Sequence, residues 1–142
     1  WPAAIGAALA SGRRVICITG DGCLQMNIQE LATVVKNKLN IKIFVLNNDG
    51  YLLIRHTQKK YFGKLAGESP KTGLGFPNLQ YIAAAYGIRH CWDDVRSFNK
   101  DRLDAIFSLN QPVLCEIKTP KWEQSQGRLD QLSHIPQLTG SY

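Results

Sequence analysis

Short runs of β-branched and other apolar residues alternate along the chain with stretches whose apolar positions recur at helical spacing. Val15-Ile16-Cys17-Ile18 is an unbroken apolar run of strand length, as a strand covered on both faces requires. Ile41 to Leu46 predicts a second buried strand, a short one is expected at about 88–92, and Pro112 to Ile117 supplies another. Helices are expected between them. Pro2 favours a first turn for a helix at 2–10, with Gly12 as its left-handed cap. Asn27, followed three residues on by Glu30, has the spacing of a capping box. Ile28, Leu31, Ala32 and Val35 then share one face. Asn78 opens a helix with Leu79, Ile82, Ala83 and Tyr86 on a common side, and Gly87 stops it. A last helix at about 98–109 carries Leu103, Ile106 and Phe107. Residues 56–77, with four glycines, two prolines and no apolar period, are expected to form a long functional or mobile loop. This order predicts an α/β chain: a three-layer fold with a mostly parallel sheet flanked by helices.

Composition narrows the function classes. The chain has 142 residues, 44% hydrophobic and 20% charged, the balance of one globular domain. No apolar stretch reaches membrane-span length, so no membrane partner is expected. A net charge of +6 raises the question of a nucleic acid. The densest basic groupings are only pairs, Arg13-Arg14 and Lys59-Lys60, so the excess is read as solvated surface and no nucleic-acid partner is expected. Cysteines 17, 23, 91 and 115 form no CxxC pair, which argues against a zinc site and for a reducing, cytoplasmic setting. The opening Trp1-Pro2-Ala3-Ala4 has no secretory pattern and reads as a helix already under way. The chain is therefore expected to be a piece of a longer one.

The chemistry concentrates in two tetrads. Gly20-Asp21-Gly22-Cys23 and Asn47-Asn48-Asp49-Gly50 each stand where a buried strand ends, the place where open α/β sheets bind ligands. Gly20 and Gly22 let backbone approach a ligand closely. The helix opening near Asn27 offers N–H groups and a positive dipole end to an anion such as phosphate. Asp21 offers a carboxylate oxygen and Asn48 an amide oxygen, both suited to Mg²⁺. Either tetrad alone is an ordinary turn. Cys23-Leu24-Gln25 follows where a dinucleotide fingerprint needs its third glycine, and no Walker lysine is present. Without Gly-x-Ser-x-Gly or His-Glu-x-x-His, hydrolase and zinc-protease readings have no support. His56 is read as a loop histidine, and His90 and His134 lie in no motif.

Gly20-Asp21-Gly22, Gln29-Glu30-Leu31-Ala32 and Asn47-Asn48 together resemble the cofactor motif of thiamine-diphosphate-dependent enzymes. Pro2 to Ala7, Gln25-Met26-Asn27, Asn47 to Tyr51, Gly75 to Asn78 and Pro112 to Glu116 resemble the C-terminal domain of the acetolactate synthase large-subunit group. The likeness implies the thiamine-diphosphate-binding fold over residues 1–118, lacking its N-terminal part, with a polar tail at 119–142. It implies thiamine diphosphate and Mg²⁺ as cofactors. Asp21, Asn48 and the Gly50 carbonyl become the metal ligands. Gly20, Gly22 and Cys23 line the diphosphate, and Leu53 packs against the cofactor. It further implies a pyruvate-like 2-keto acid substrate, decarboxylation with carbon–carbon ligation, and a homodimer or tetramer formed through the missing domains. The activating glutamate is expected in one of those domains, so this piece alone is expected to be inactive. Glu30 keeps its structural reading. The same motif serves decarboxylases and other lyases, and a non-catalytic remnant or regulatory domain of the fold, or a general polyanion-binding module, stays open beside it.

Overall fold

The structure, a computed structural model, describes residues 1–122. His134 and all but the first residues of the expected 119–142 tail lie outside the described residues. Helix α1 (Pro2–Ser11) leads into strand β1 (Val15–Gly20), and Gly12 closes the helix at φ 63°, as anticipated. Helices α2 (Asp21–Gln25) and α3 (Leu31–Lys36) connect to strand β2 (Ile41–Asn47). Helices α4 (Leu52–Tyr61) and α5 (Leu79–Tyr86), strand β3 (Arg89–Asp94), helix α6 (Lys100–Ser108) and strand β4 (Val113–Lys118) complete the order. All strand pairs are parallel, in the order β1-β2-β4-β3. The α/β expectation holds.

Residue alternation divides the core in two. Ile41, Ile43 and Val45 of β2 point to one face, where Ile5, Ala8, Leu24, Leu31, Val34, Leu79 and Ala83 from four helices pack on them. Phe44 points to the other, joined by Val113, Cys115 and Ile117 of β4 and Ile106 of α6. Among the described residues, helix α6 is the only helix contributing to this second cluster, and β1 lies at the sheet edge beyond β2. Ile16 and Ile18 are consequently 51% and 69% exposed. The expectation that β1 is covered on both faces is corrected: only the Cys17 side is buried.

Two other expectations change. The second helix starts at Asp21, directly after extended Gly20, and is interrupted before a 3₁₀ turn at Ile28–Glu30. Asn27 makes no side-chain cap, and Glu30 accepts from the Thr33 hydroxyl at 2.9 Å, so the capping box is not formed. Residues 52–61 are helical, although 56–61 were assigned to the long loop. Their apolar period is missing because the one buried side chain of α4 is Arg55, while Leu53 is 81% exposed.

Lys42 is a further departure from the apolar strand pattern. It is fully buried, and its ammonium donates to Asn40 Oδ1 at 2.7 Å, Leu109 O at 2.7 Å and Gln111 O at 2.5 Å. Burial pushes its pKa down, and the three acceptors hold the charge in place. The side chain ties the α6–β4 loop to the start of β2, at the sheet end remote from the two tetrads. Lys42→Met keeps the stem and removes the donors. It is expected to lower unfolding free energy by about 1–3 kcal/mol in denaturant melts; an unchanged midpoint would contradict this reading.

Candidate functional site

Because β1 and β2 are parallel neighbours with Gly20 opposite Leu46, both chains leave the sheet at the same edge. Asp21 follows at once as the first residue of α2, only 6% exposed. Its Oδ1 accepts from the Gly22 N–H at 2.7 Å and its Oδ2 from the Gly50 N–H at 3.0 Å. One carboxylate thus joins the two tetrads. Burial pushes the Asp21 pKa up despite the backbone donors of Gly50, Gly22 and Asp49, and the nearby Asp49 charge adds to the rise.

The two asparagines divide their roles. Asn47 is committed to the fold: its amide donates to Glu116 Oε1 at 2.5 Å, and its Oδ1 accepts from the Asp49 N–H at 2.9 Å. Asn48 Oδ1 is buried and accepts from nothing. A buried acceptor left without a partner costs about 1–3 kcal/mol, so this oxygen has reason to meet a ligand. Gly50 takes φ 146°, a conformation that L side chains rarely adopt. A Cβ there would stand 2.0 Å from the Glu68 carbonyl oxygen.

A cleft of about 440 Å³ opens above these residues, within the range of small-molecule sites. All seven residues singled out in the sequence line it: Gly20, Asp21, Gly22, Cys23, Asn48, Gly50 and Leu53. Met26, Tyr51, Leu52 and Ile54 complete its wall and were not anticipated. Tyr51 is placed by Gly22, since a Cβ on Gly22 would fall 2.2 Å from its ring. Leu52 and Ile54 of α4 escaped notice because their apolar run is short and is followed by the polar stretch Arg55–Lys60. Among the described residues no group of three or more His, Cys, Asp and Glu gathers. A cation in the cleft would therefore depend on the Asp21 carboxylate, on amide and carbonyl oxygens, and on whatever a phosphorylated ligand brings.

The other candidates lie elsewhere. His56 meets the Trp122 ring edge-on, with centroids 5.7 Å apart. His90 Nε2 stands 3.5 Å from Glu116 Oε2 on the sheet. The four cysteines are free thiols; Cys17 and Cys115 are buried and Cys23 is exposed. No described helix is long and apolar enough to cross a membrane.

Most of the chain is similar to known proteins. Residues 1–117 match the family described as thiamine pyrophosphate enzyme, C-terminal TPP binding domain. The chain is 37% identical over 118 residues to the acetolactate synthase isozyme 1 large subunit of Escherichia coli K12, covering 82% of the chain and 21% of that protein. It is 36% identical over 116 residues to the acetolactate synthase large subunit of Cyanidium caldarium, covering 81% of the chain and 20% of that protein. Identity to the Lactococcus lactis large subunit is 33% over 140 residues, covering 98% of the chain and 24% of that protein. The chain spans about a fifth to a quarter of the length of these relatives.

The two glycines give the site a steric test. Gly50→Ala forces a Cβ into the Glu68 backbone at a strained φ and is expected to cost about 2–4 kcal/mol or prevent folding. Gly20→Ala meets nothing within 4 Å and is expected to change stability by no more than about 0.5 kcal/mol. Equal denaturation midpoints for the two variants would refute the crowded turn.

Proposed function

Because the chain belongs to the thiamine pyrophosphate enzymes, as a C-terminal TPP-binding domain, we propose that its cleft holds thiamine diphosphate through Mg²⁺. The observation that carries the reading is the unpartnered, buried Asn48 Oδ1, in the same cleft as the buried Asp21 carboxylate. Both are hard oxygen donors, and with the Gly50 carbonyl they fit a cation that keeps its remaining positions for phosphate and water. Asp21, Asn48 and Gly50 hold the metal. The backbone around Gly20, Gly22 and Cys23 receives the diphosphate. Leu53 offers an apolar surface to the cofactor's rings, and Met26 and Ile54 keep water from it. Cys23 has a thiol where a serine hydroxyl is common, so its contribution is its backbone N–H.

Thiamine diphosphate held there would supply a nucleophilic carbon and an electron sink for the chemistry of a 2-keto acid. This chain's residues anchor and orient; the glutamate that activates the cofactor belongs to another domain. The names of the large-subunit relatives support an acetolactate-synthase-like reaction. The proposal adds pyruvate or a related 2-keto acid as substrate, the joining of two carbon fragments, and a cytoplasmic homodimer or tetramer. A decarboxylase or lyase of the same family is the variant closest to it. Residues 1–118 form the cofactor domain in this reading, and 119–142 a C-terminal extension of it.

Calorimetric titration of thiamine diphosphate tests the reading. Binding is expected to require Mg²⁺, and Asp21→Ala and Asn48→Ala are each expected to abolish it while the chain stays folded. Unchanged affinity in either variant would remove that residue from the metal site. A chain of these 142 residues, supplied with both cofactors, is expected to consume pyruvate far more slowly than about 1 s⁻¹. Turnover at ordinary enzyme rates would contradict the shared active site.

A further inference from the structure

Arg55 and Glu68 form a buried ion pair that the reading above leaves without a role. Each is 2% exposed, and Arg55 Nε donates to Glu68 Oε2 at 2.5 Å. Removing either partner of such a pair strands a charge, yet replacing both with apolar groups is often neutral or stabilising. Stability therefore explains the pair poorly. Its other bonds are more informative.

The guanidinium reaches the carbonyls of the turn itself: Nη2 donates to Asp49 O at 3.1 Å, and Nη1 makes a longer contact of 3.5 Å with Asn48 O. Nη1 also donates to the Lys121 carbonyl. From the other side, the Glu68 carbonyl accepts the Tyr51 N–H at 2.8 Å. That N–H belongs to the same planar, trans peptide as the Gly50 carbonyl, so fixing one fixes the direction of the other. The peptide before it is held at both ends as well, by Arg55 at Asp49 O and by Asp21 at the Gly50 N–H.

Glu68 is itself held. Its Oε1 accepts from the Ser69 hydroxyl at 2.6 Å, and from Thr72 Oγ1 at 3.3 Å. Burial alone would raise its pKa, but the Ser69 hydroxyl, the Arg55 guanidinium and Thr72 outweigh that and keep it below the usual carboxylate range. The pair is charged on both sides. Glu68 lies in the segment 56–77, expected from sequence to be a functional or mobile loop, and its bond to Arg55 of α4 ties that segment to the Asn48–Gly50 turn.

We infer that Arg55 and Glu68 are positioning residues that preset the Asn48–Gly50 turn for its divalent cation, the geometric work being the orientation of the Gly50 carbonyl. This rests on the proposed Mg²⁺ site. Groups that orient metal ligands typically change metal affinity ten- to a hundredfold when replaced.

The experiment is a Mg²⁺ titration of the full-length protein at saturating thiamine diphosphate, read by calorimetry, with circular dichroism to confirm folding. Glu68→Gln and Arg55→Lys are expected to raise the apparent Mg²⁺ dissociation constant about ten- to a hundredfold. Arg55→Met combined with Glu68→Leu removes both charges and is expected to restore thermal stability while Mg²⁺ binding stays weak. Lys42→Met, remote from the cleft, is expected to lose stability with Mg²⁺ affinity unchanged. Normal Mg²⁺ affinity in the folded double variant would overturn the positioning role and leave the metal site standing. A wild-type protein whose thiamine diphosphate binding ignores Mg²⁺ would overturn the metal site itself.

Discussion

The site depends on one buried carboxylate. Asp21 stands where β1 ends and accepts an N–H from Gly50, 29 residues away. That bond holds the ends of two neighbouring strands in a fixed relation and gives the cleft its floor. Burial raises the pKa of Asp21 above its ordinary value. The folded chain thus binds this proton more tightly than the unfolded chain does. The group's contribution to stability is greatest when it is protonated, and falls as pH rises from the unfolded pKa through the folded one. At neutral pH the ionised side chain is a local liability, which a bound cation would relieve. Asn48 Oδ1, buried and unpartnered, is a second group left in deficit at the same place. Two such deficits side by side are the mark of a site arranged for a ligand rather than for folding alone.

Around that floor the fold places rigid parts first and shaping parts second. The parallel pairing of β1 and β2 and their common apolar core set the strand ends, and core packing does not depend on α4, which contributes to neither cluster. Helix α4 instead supplies the cleft wall through Leu52, Leu53 and Ile54, and fastens it from behind through Arg55. Lys121 pairs with Asp49, and Trp122 lies against Arg55 and Lys59, so the chain after β4 returns to the same turn. The Lys121 bond holds Asp49 well below the usual carboxylate range, which keeps a second negative charge beside Asp21 compensated.

Much of this was legible in the sequence, for physical reasons that also explain the failures. Continuous apolar runs mark strands of a parallel sheet, so β1, β2 and β4 could be read directly, and turn residues at their ends marked the cleft. The seven residues singled out, Gly50 and Leu53 among them by the family resemblance, all line it. The apolar run of β1 was misleading about its neighbours, because composition cannot tell a central strand from an edge one. Helix α4 was hidden because its pattern is inverted, with Arg55 buried and Leu53 and Ile54 exposed. The start of α2 was hidden because Asp21 both opens the helix and belongs to the turn motif. Asn47 and Asn48 are the same residue type in adjacent positions, and no periodicity tells them apart. Asn48 was singled out for its amide oxygen and given a metal role by the resemblance; the hydrogen bonds separate the two, since the Asn47 oxygen accepts from the Asp49 N–H and the buried Asn48 oxygen accepts from nothing.

The central claim is that Asp21, Asn48 and Gly50 share one cation. A crystal structure of the full-length protein with thiamine diphosphate and Mg²⁺ tests it most directly. The account predicts a single Mg²⁺ in the cleft, with an Asp21 carboxylate oxygen, Asn48 Oδ1 and the Gly50 carbonyl oxygen each at about 2.0–2.1 Å. A bound cofactor whose metal lies away from these atoms, or an Asn48 Oδ1 engaged by protein or water alone, would contradict it.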